Sequence, residues 1–221
     1  MAFSKKPKSF VTRQGRITVN QRKALDSLWN QYVLSKVSEI KEFISNNYTV
    51  LDIGFGAGET LINIAQNRKD IVLLGAEVYL SGIGTVLDKA NKLNLANIKI
   101  VNEDVEELLH HKIPDNSVDV VLMFYPDPWP KRKHHKRRLI KKEFIEILNK
   151  KLKASGILYF KTDWKDYSDE VDRLFQERFN WRELNTSDLE EYLRDMPATS
   201  FEKKAIKAKR SLNTKIFEKV N

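Results

Sequence analysis

The sequence predicts an α/β fold, a mostly parallel sheet flanked by helices, and three observations carry that expectation. Short apolar runs rich in β-branched residues alternate along the chain with apolar stripes at helical spacing. One run, Tyr48 to Ile53, leads directly into Gly54-Phe-Gly-Ala-Gly58, the pattern of a strand turning sharply into a helix where a ligand can approach the backbone. Another, Val118 to Phe124, is apolar almost throughout, as a strand covered on both faces can be, and Pro126, Pro128 and Pro130 end it.

With 221 residues the chain has room for one sizeable domain. We expect a basic N-terminal arm over residues 1–24 and a single domain over 25–221. No cysteine is present, which excludes disulfides and thiolate catalysis. The start is cationic without an apolar signal core, and no run approaches the length of a membrane span, so a cytoplasmic protein is expected. The net charge of +9 is unevenly spread. Residues 1–23 hold seven Lys or Arg, 128–142 hold eight and 203–210 hold five, with no acid among them, and the remainder is net acidic by 11. Such segregation points to a polyanionic partner, because clustered like charges repel until something neutralises them.

Taken in order, Arg13-Gln-Gly-Arg16 reads either as a phosphate-gripping arm or as a disordered tail. From Leu25 on, Leu28, Trp29, Tyr32, Val33, Val37, Ile40 and Ile44 predict one helix packed on the sheet. After the glycine loop, Thr60, Leu61, Ile64 and Ala65 predict a helix ended by the polar stretch 66–70. Ile71 to Ala76 is the second strand, and Glu77 at its end is placed to accept hydrogen bonds from ribose hydroxyls. Glu59 stands where a dinucleotide fingerprint needs its third glycine, so a ligand without phosphates fits better. Ile98 to Val101 is the third strand. Asp104 beyond it either accepts from an adenine amino group or caps the helix Val105 to Leu109.

Val118 to Phe124 is the fourth strand, and its carboxyl end would face a ligand crevice. There the prolines fix Asp127 and Trp129, while Lys131, Arg132, Lys133, Lys136, Arg137 and Arg138 would line the rim with positive charge. Trp129 either stacks on a base or belongs to the core. Ile140, Phe144, Ile147, Leu148 and Leu152 predict a helix that Gly156 breaks, before a fifth strand from Ile157 to Phe160. Asp163 follows it, beside Asp127 if the two strands are neighbours. Tyr167, Val171, Leu174, Phe175 and Phe179 predict a further core helix, residues 185–197 an active-site lid, and Thr214 to Val220 a closing strand. His110-His111 and His134-His135 are adjacent pairs whose side chains diverge, so no metal is expected.

The succession over about residues 48–165 resembles the S-adenosylmethionine-dependent methyltransferases. Pro126-Asp-Pro-Trp-Pro-Lys131 with His134-His-Lys-Arg-Arg-Leu139 is similar to the signature of the tRNA (guanine-N7-)-methyltransferases, as are Arg13-Gln-Gly-Arg16, Lys161-Thr-Asp163 and Thr199-Ser-Phe-Glu202. Asp52 departs from the Glu expected there, but either carboxylate can accept from a ligand's amino group. The resemblance implies a Rossmann-like class I methyltransferase fold with a seven-stranded sheet, and S-adenosyl-L-methionine held by Asp52, Gly54, Gly56, Gly58, Glu77, Asp104 and Asp127. It makes Asp127 the catalytic residue. It implies a tRNA substrate, methylated at N7 of the variable-loop guanine at position 46. That tRNA would be contacted by Lys131, Asp163, Thr199, Ser200, Phe201 and Glu202, and by Arg13, Arg16, Arg137 and Arg138. Thr199-x-x-Glu202 is equally a helix capping box. Guanine N7 carries a lone pair and no proton, so its alkylation needs positioning and charge support but no general base. The Asp-Pro-Trp-Pro turn also resembles that of enzymes methylating exocyclic amines. A noncatalytic RNA-binding protein and a nicotinamide-dependent oxidoreductase are the remaining alternatives, and either a monomer or a homodimer is compatible.

Overall fold

In the computed structural model, residues 7–13, 15–178 and 180–220 are described. Seven strands form one sheet: β1 (Thr49–Ile53), β2 (Val72–Ala76), β3 (Ile98–Val101), β4 (Val118–Phe124), β5 (Leu152–Thr162), β6 (Trp181–Glu183) and β7 (Asn213–Lys219). Their order is β3-β2-β1-β4-β5-β7-β6, with β1 to β5 parallel and β7 antiparallel to both neighbours. The helices are α1 (Val19–Tyr32), α2 (Val37–Ile44), α3 (Glu59–Asn67), α4 (Leu80–Lys92), α5 (Val105–His111), α6 (Lys142–Lys151), α7 (Lys165–Gln176), α8 (Glu191–Arg194) and α9 (Ser200–Lys207). α1, α3 and α4 close one face of the sheet, and α2, α5, α6 and α7 the other. The inner strands serve both cores, Val120 and Leu122 facing one and Val121 and Met123 the other, which is why β4 shows no polar alternation. No helix among the described residues is long and apolar enough to cross a membrane.

Four expectations are corrected. The helix expected from Leu25 begins at Val19, where Thr18 and Gln21 form a capping box, and the single stripe is two helices. Val33 leaves the helix to bridge Ile100, and Leu34 N–H bonds the Ile100 carbonyl at 2.8 Å, so pairing with the edge of β3 overrides the periodicity. Gly156 does not separate helix from strand. β5 already starts at Leu152, and the register against β4 shifts between Val118 and Val120. A Cβ on Gly156 would lie 2.9 Å from the Lys153 carbonyl oxygen, so the glycine makes a bulge inside the strand. Residues 185–197 are not poised as a lid: Leu189 and Leu193 are buried in the sheet core, and Tyr192 packs under the Arg68 guanidinium at 4.5 Å. α7 ends at Gln176, and Phe179, expected in its stripe, lies outside the described residues.

Candidate active site

Register places the site. Asp52 pairs with Gly75 on one side and Leu122 on the other, so β1, β2 and β4 end level and their following turns meet. The glycine loop leaves β1 with Gly54, Gly56 and Gly58 all in the left-handed region. Gly58 caps α3 at φ +70°, and a Cβ there would fall 2.2 Å from Val86 Cγ2, so conformation and packing both require glycine. From β2, buried Glu77 takes hydrogen bonds from the N–H groups of Gly56 at 3.0 Å, Val78 at 2.7 Å and Tyr79 at 3.0 Å, which clasps the two loops together.

Between these turns lies a cleft of about 890 Å³, counting its open mouth, lined by Gly54, Gly56, Glu77, Phe124, Tyr125 and Asp127, with Ser9 and Phe10 across it. A smaller recess continues it past Tyr125 and Phe201 to Asp52, Glu59 and Thr60. Asp52 is 3% exposed, and burial, then the neighbouring Glu77 charge, pushes its carboxyl up to about 8. Burial also raises Glu77, against its three N–H donors, and lost hydration raises Asp127 against the opposing effects of the Val11 N–H and the Arg137 charge. Crowded, poorly hydrated carboxyls of this kind favour a cationic ligand. Among the described residues the Thr60 hydroxyl is buried without a partner, directly in the recess. A ligand with a sulfonium, an ammonium group and ribose hydroxyls fits this set of carboxyl acceptors.

The other expected residues divide. Asp104 caps α5, accepting from Glu106 N–H at 3.0 Å, and the cleft wall is made by its neighbours Glu103 and Val105. Asp163 follows β5 beside the Asp127 turn, as neighbouring strands require, but it pairs with Arg210 at 2.7 Å and does not line the cleft. Thr199 caps α9, while the Glu202 carboxylate, instead of completing a capping box, stands 3.9 Å from Lys161 Nζ, and burial and then its negative charge hold the Tyr125 hydroxyl protonated. Ser200 N–H bonds Glu59 Oε1 at 3.2 Å, tying α9 to the first turn of α3. Phe201 lines both cavities. Lys131, Arg13 and Arg16 are exposed.

Arg138 is a correction. It is 1% exposed, and its guanidinium is taken by Asp166 at 2.7 Å, by Glu170 and by the Pro128 carbonyl, so it braces the acidic turn against α7 and presents nothing to a phosphate. Arg137 is half-buried: it donates to the Lys8 and Phe10 carbonyls and stacks on Trp129 at 3.6 Å. Trp129 Nε1 donates to the Ser9 carbonyl, and the Tyr79 hydroxyl to that of Val11. Residues 8–11 are thus strapped across the cleft mouth. His134 and His135 lie in a 3-10 turn (Arg132–Arg137), where His135 is 3.7 Å from Asp166. Among the described residues no group of three potential metal ligands converges.

Tyr125, Lys161 and Glu59 are site residues that the sequence does not single out by chemistry. The one local signal for Tyr125 is its place between a buried strand and a proline, where it takes φ +54°.

A parallel five-stranded core extended by an antiparallel strand, with a glycine loop and an acid-lined crevice at its carboxyl edge, defines the class I methyltransferases. Solved structures agree on the fold: the 16S rRNA methyltransferase KamB aligns with a TM-score of 0.60 at 14% identity over 85% of this chain and 95% of that one. The antibiotic-resistance methyltransferase Kmr aligns at 0.57 and 11% identity over 85% and 94%. The family model described as a putative methyltransferase matches residues 46–214. The tRNA (guanine-N(7)-)-methyltransferase of Shewanella amazonensis is 34% identical over 99% of this chain and 94% of its own length, and that of Nitrosococcus oceani 37% identical over 88% and 83%. The chain belongs to the tRNA (guanine-N(7)-)-methyltransferase family.

Proposed function

We propose that the protein transfers a methyl group from S-adenosyl-L-methionine to N7 of the variable-loop guanine at position 46 of tRNA. The observation that carries this reading is the contrast between an acidic cleft and the exposed cations Lys131, Arg132, Lys133 and Lys136 that follow its Asp127 turn. When bound, the cofactor supplies an electrophilic methyl group. Asp52 and the Thr60 hydroxyl would hold its amino-acid end, and Glu77 its ribose. Asp104 would contribute beyond its capping bond only where its second oxygen is free to accept. Asp127, on a turn locked by three prolines and braced by Arg138, accepts from donor groups on the guanine edge and supports the charge that moves onto the ring. No side chain has to remove a proton.

N7 of a paired guanine lies in the deep major groove of folded RNA, so the target has to come from a loop or leave its stack. The cations after Asp127, with Lys203, Lys204, Lys207 and Lys209 on and beyond α9, would take the surrounding phosphates. Arg13 and Arg16 would act from the segment ahead of α1, whose residues 8–11 cross the cleft mouth. Incubation with S-adenosyl-L-methionine and an unmodified tRNA transcript, followed by mass spectrometry of the nucleosides and mapping of the modified position, tests the reading. N7-methylguanosine in the variable loop is the expected product; N6-methyladenosine, or no methylation despite cofactor binding, refutes it.

A further inference from the structure

We propose that the rings of Tyr125 and Phe201 form a slot that receives the target base, a role Trp129 cannot fill. The proposal rests on the methyl-transfer reading above and adds the element that holds the base. Trp129 is already committed: Arg137 lies on its ring at 3.6 Å, His134 packs beside it at 6.0 Å, and its indole N–H is bonded to Ser9. Tyr125 and Phe201 are differently placed. Their planes lie within 13° of each other with centroids 6.5 Å apart, whereas the directly stacked pair Phe175 and Phe217 stands at 3.8 Å and 4°. A planar base between two rings needs about 7 Å, two van der Waals separations of about 3.5 Å; the centroid distance of 6.5 Å is the most the two planes can be apart, so the exposed Phe201 ring has to swing outward to admit the base. The two rings line both the main cleft and its recess, so a base between them would share the space bounded by Asp127 and the glycine loop.

One jaw is fixed and the other exposed. Tyr125 takes φ +54°, an uncommon conformation for a bulky residue, and is held there by its N–H bond to the Lys161 carbonyl at 2.8 Å. Lys161 supports that arrangement from beneath, 3.9 Å from Glu202 and over the rings of Phe124 and Tyr159 at 5.0 and 5.2 Å. Phe201 is 51% exposed, the one aromatic ring among the exposed large hydrophobic side chains of the described residues, and it rides on the first turn of the eight-residue α9. Nothing in the packing of the core asks for an aromatic there.

The chemistry favours two rings over an aliphatic slot. N7 forms the new C–N bond with its lone pair while the C–S bond breaks and its electron pair stays on sulfur; no proton moves, and the purine gains one positive charge. Aromatic faces carry negative potential, so their attraction for the base grows as that charge develops and acts most strongly in the transition state.

The test compares Phe201→Leu, Phe201→Trp, Tyr125→Leu and Tyr125→Phe with the wild type in single-turnover methyl transfer, cofactor affinity and tRNA affinity. Phe201→Leu should slow transfer about tenfold to a hundredfold, the equivalent of one missing stacking face, with both affinities within about twofold and Phe201→Trp restoring the rate. Tyr125→Phe, which keeps the ring, should lose less than Tyr125→Leu; if the latter misfolds, the Phe201 series decides. The free nucleosides give a readout independent of turnover, since Phe201→Leu should erase any preference for N7-methylguanosine over guanosine seen by NMR line broadening. Transfer by Phe201→Leu at the wild-type rate, or failure of Phe201→Trp to restore it, overturns the slot. A wild type that makes no N7-methylguanosine overturns the methyl-transfer reading instead.

Discussion

Asp52 shows how a single buried residue ties ligand binding to pH. Its carboxyl, pushed up to about 8, is mostly protonated at neutral pH in the free protein, and a cationic ligand beside it favours the ionised form. Cofactor binding at pH 7 should therefore release protons, seen as buffer-dependent heats in calorimetry, and affinity should rise with pH until about 8. The effect on stability has the opposite sense. The folded pKa lies above the unfolded value of about 3.9, so this residue's stabilising contribution is complete below that value and is lost as pH rises through 8. Asp52→Asn should flatten the melting temperature between pH 6 and 8.5 while weakening the cofactor. Asp127, at the cleft's lip, is also raised by lost hydration, but the Val11 N–H and the Arg137 charge oppose the shift. Asp127→Ala should cost about a hundredfold or more in single-turnover transfer and leave tRNA affinity within about twofold. Both acids were legible in the sequence because strand ends before glycines and prolines announce themselves locally. Tyr125 and Phe201 were not legible as a pair, since 76 positions separate them.

At the scale of elements, the arrangement of the cationic segment follows from one buried side chain. The 3-10 turn and the acidic turn are held to α7 through Arg138, whose partners Asp166 and Glu170 lie about thirty residues on. Arg138→Met should lower the unfolding free energy by about 1 to 2 kcal/mol, the loss of charge-assisted hydrogen bonds whose carboxylate partners, 59% and 30% exposed, stay hydrated. It should leave the salt dependence of tRNA binding unchanged, which denaturation and filter-binding titrations would distinguish. Six cationic residues crowded into one short run look alike in sequence; which of them is buried depends on acids elsewhere, so burial of Arg138 could not be read from the run. The same limit explains the break at Val33 and the early start of β5: each is set by pairing with a distant strand, whereas β3 and β4 have the bounds that their own apolar runs predict.

At the scale of the whole molecule, the cleft acids Asp52, Glu59, Glu77, Glu103 and Asp127 lie at the carboxyl edge of the sheet, and the exposed cations of residues 131–136 and 203–210 lie on segments beside it. Such a field draws a polyanion to the rim and a small cation to the interior. Replacing Lys131, Lys133 and Lys136 together by Ala should reduce the slope of log affinity for tRNA against log salt by about 2 to 3, near 0.7–0.9 for each phosphate no longer neutralised, with cofactor affinity unaltered.

The sheet order has a consequence for synthesis. β5 sits inside the sheet, yet one of its edges is covered only by β7, from Ile157 against Glu218 to Thr162 against Asn213. On the ribosome that edge, flanked by the apolar side chains of Leu158 and Phe160, stays open while some fifty further residues emerge. Unpaired edges of this kind recruit other chains. A chain released before Asn213 should accumulate as insoluble aggregate or chaperone complex, even though β1 to β4 and the glycine loop are complete. β7 thus closes, at the end of synthesis, the edge that a shortened chain would leave open to its neighbours in a crowded cell.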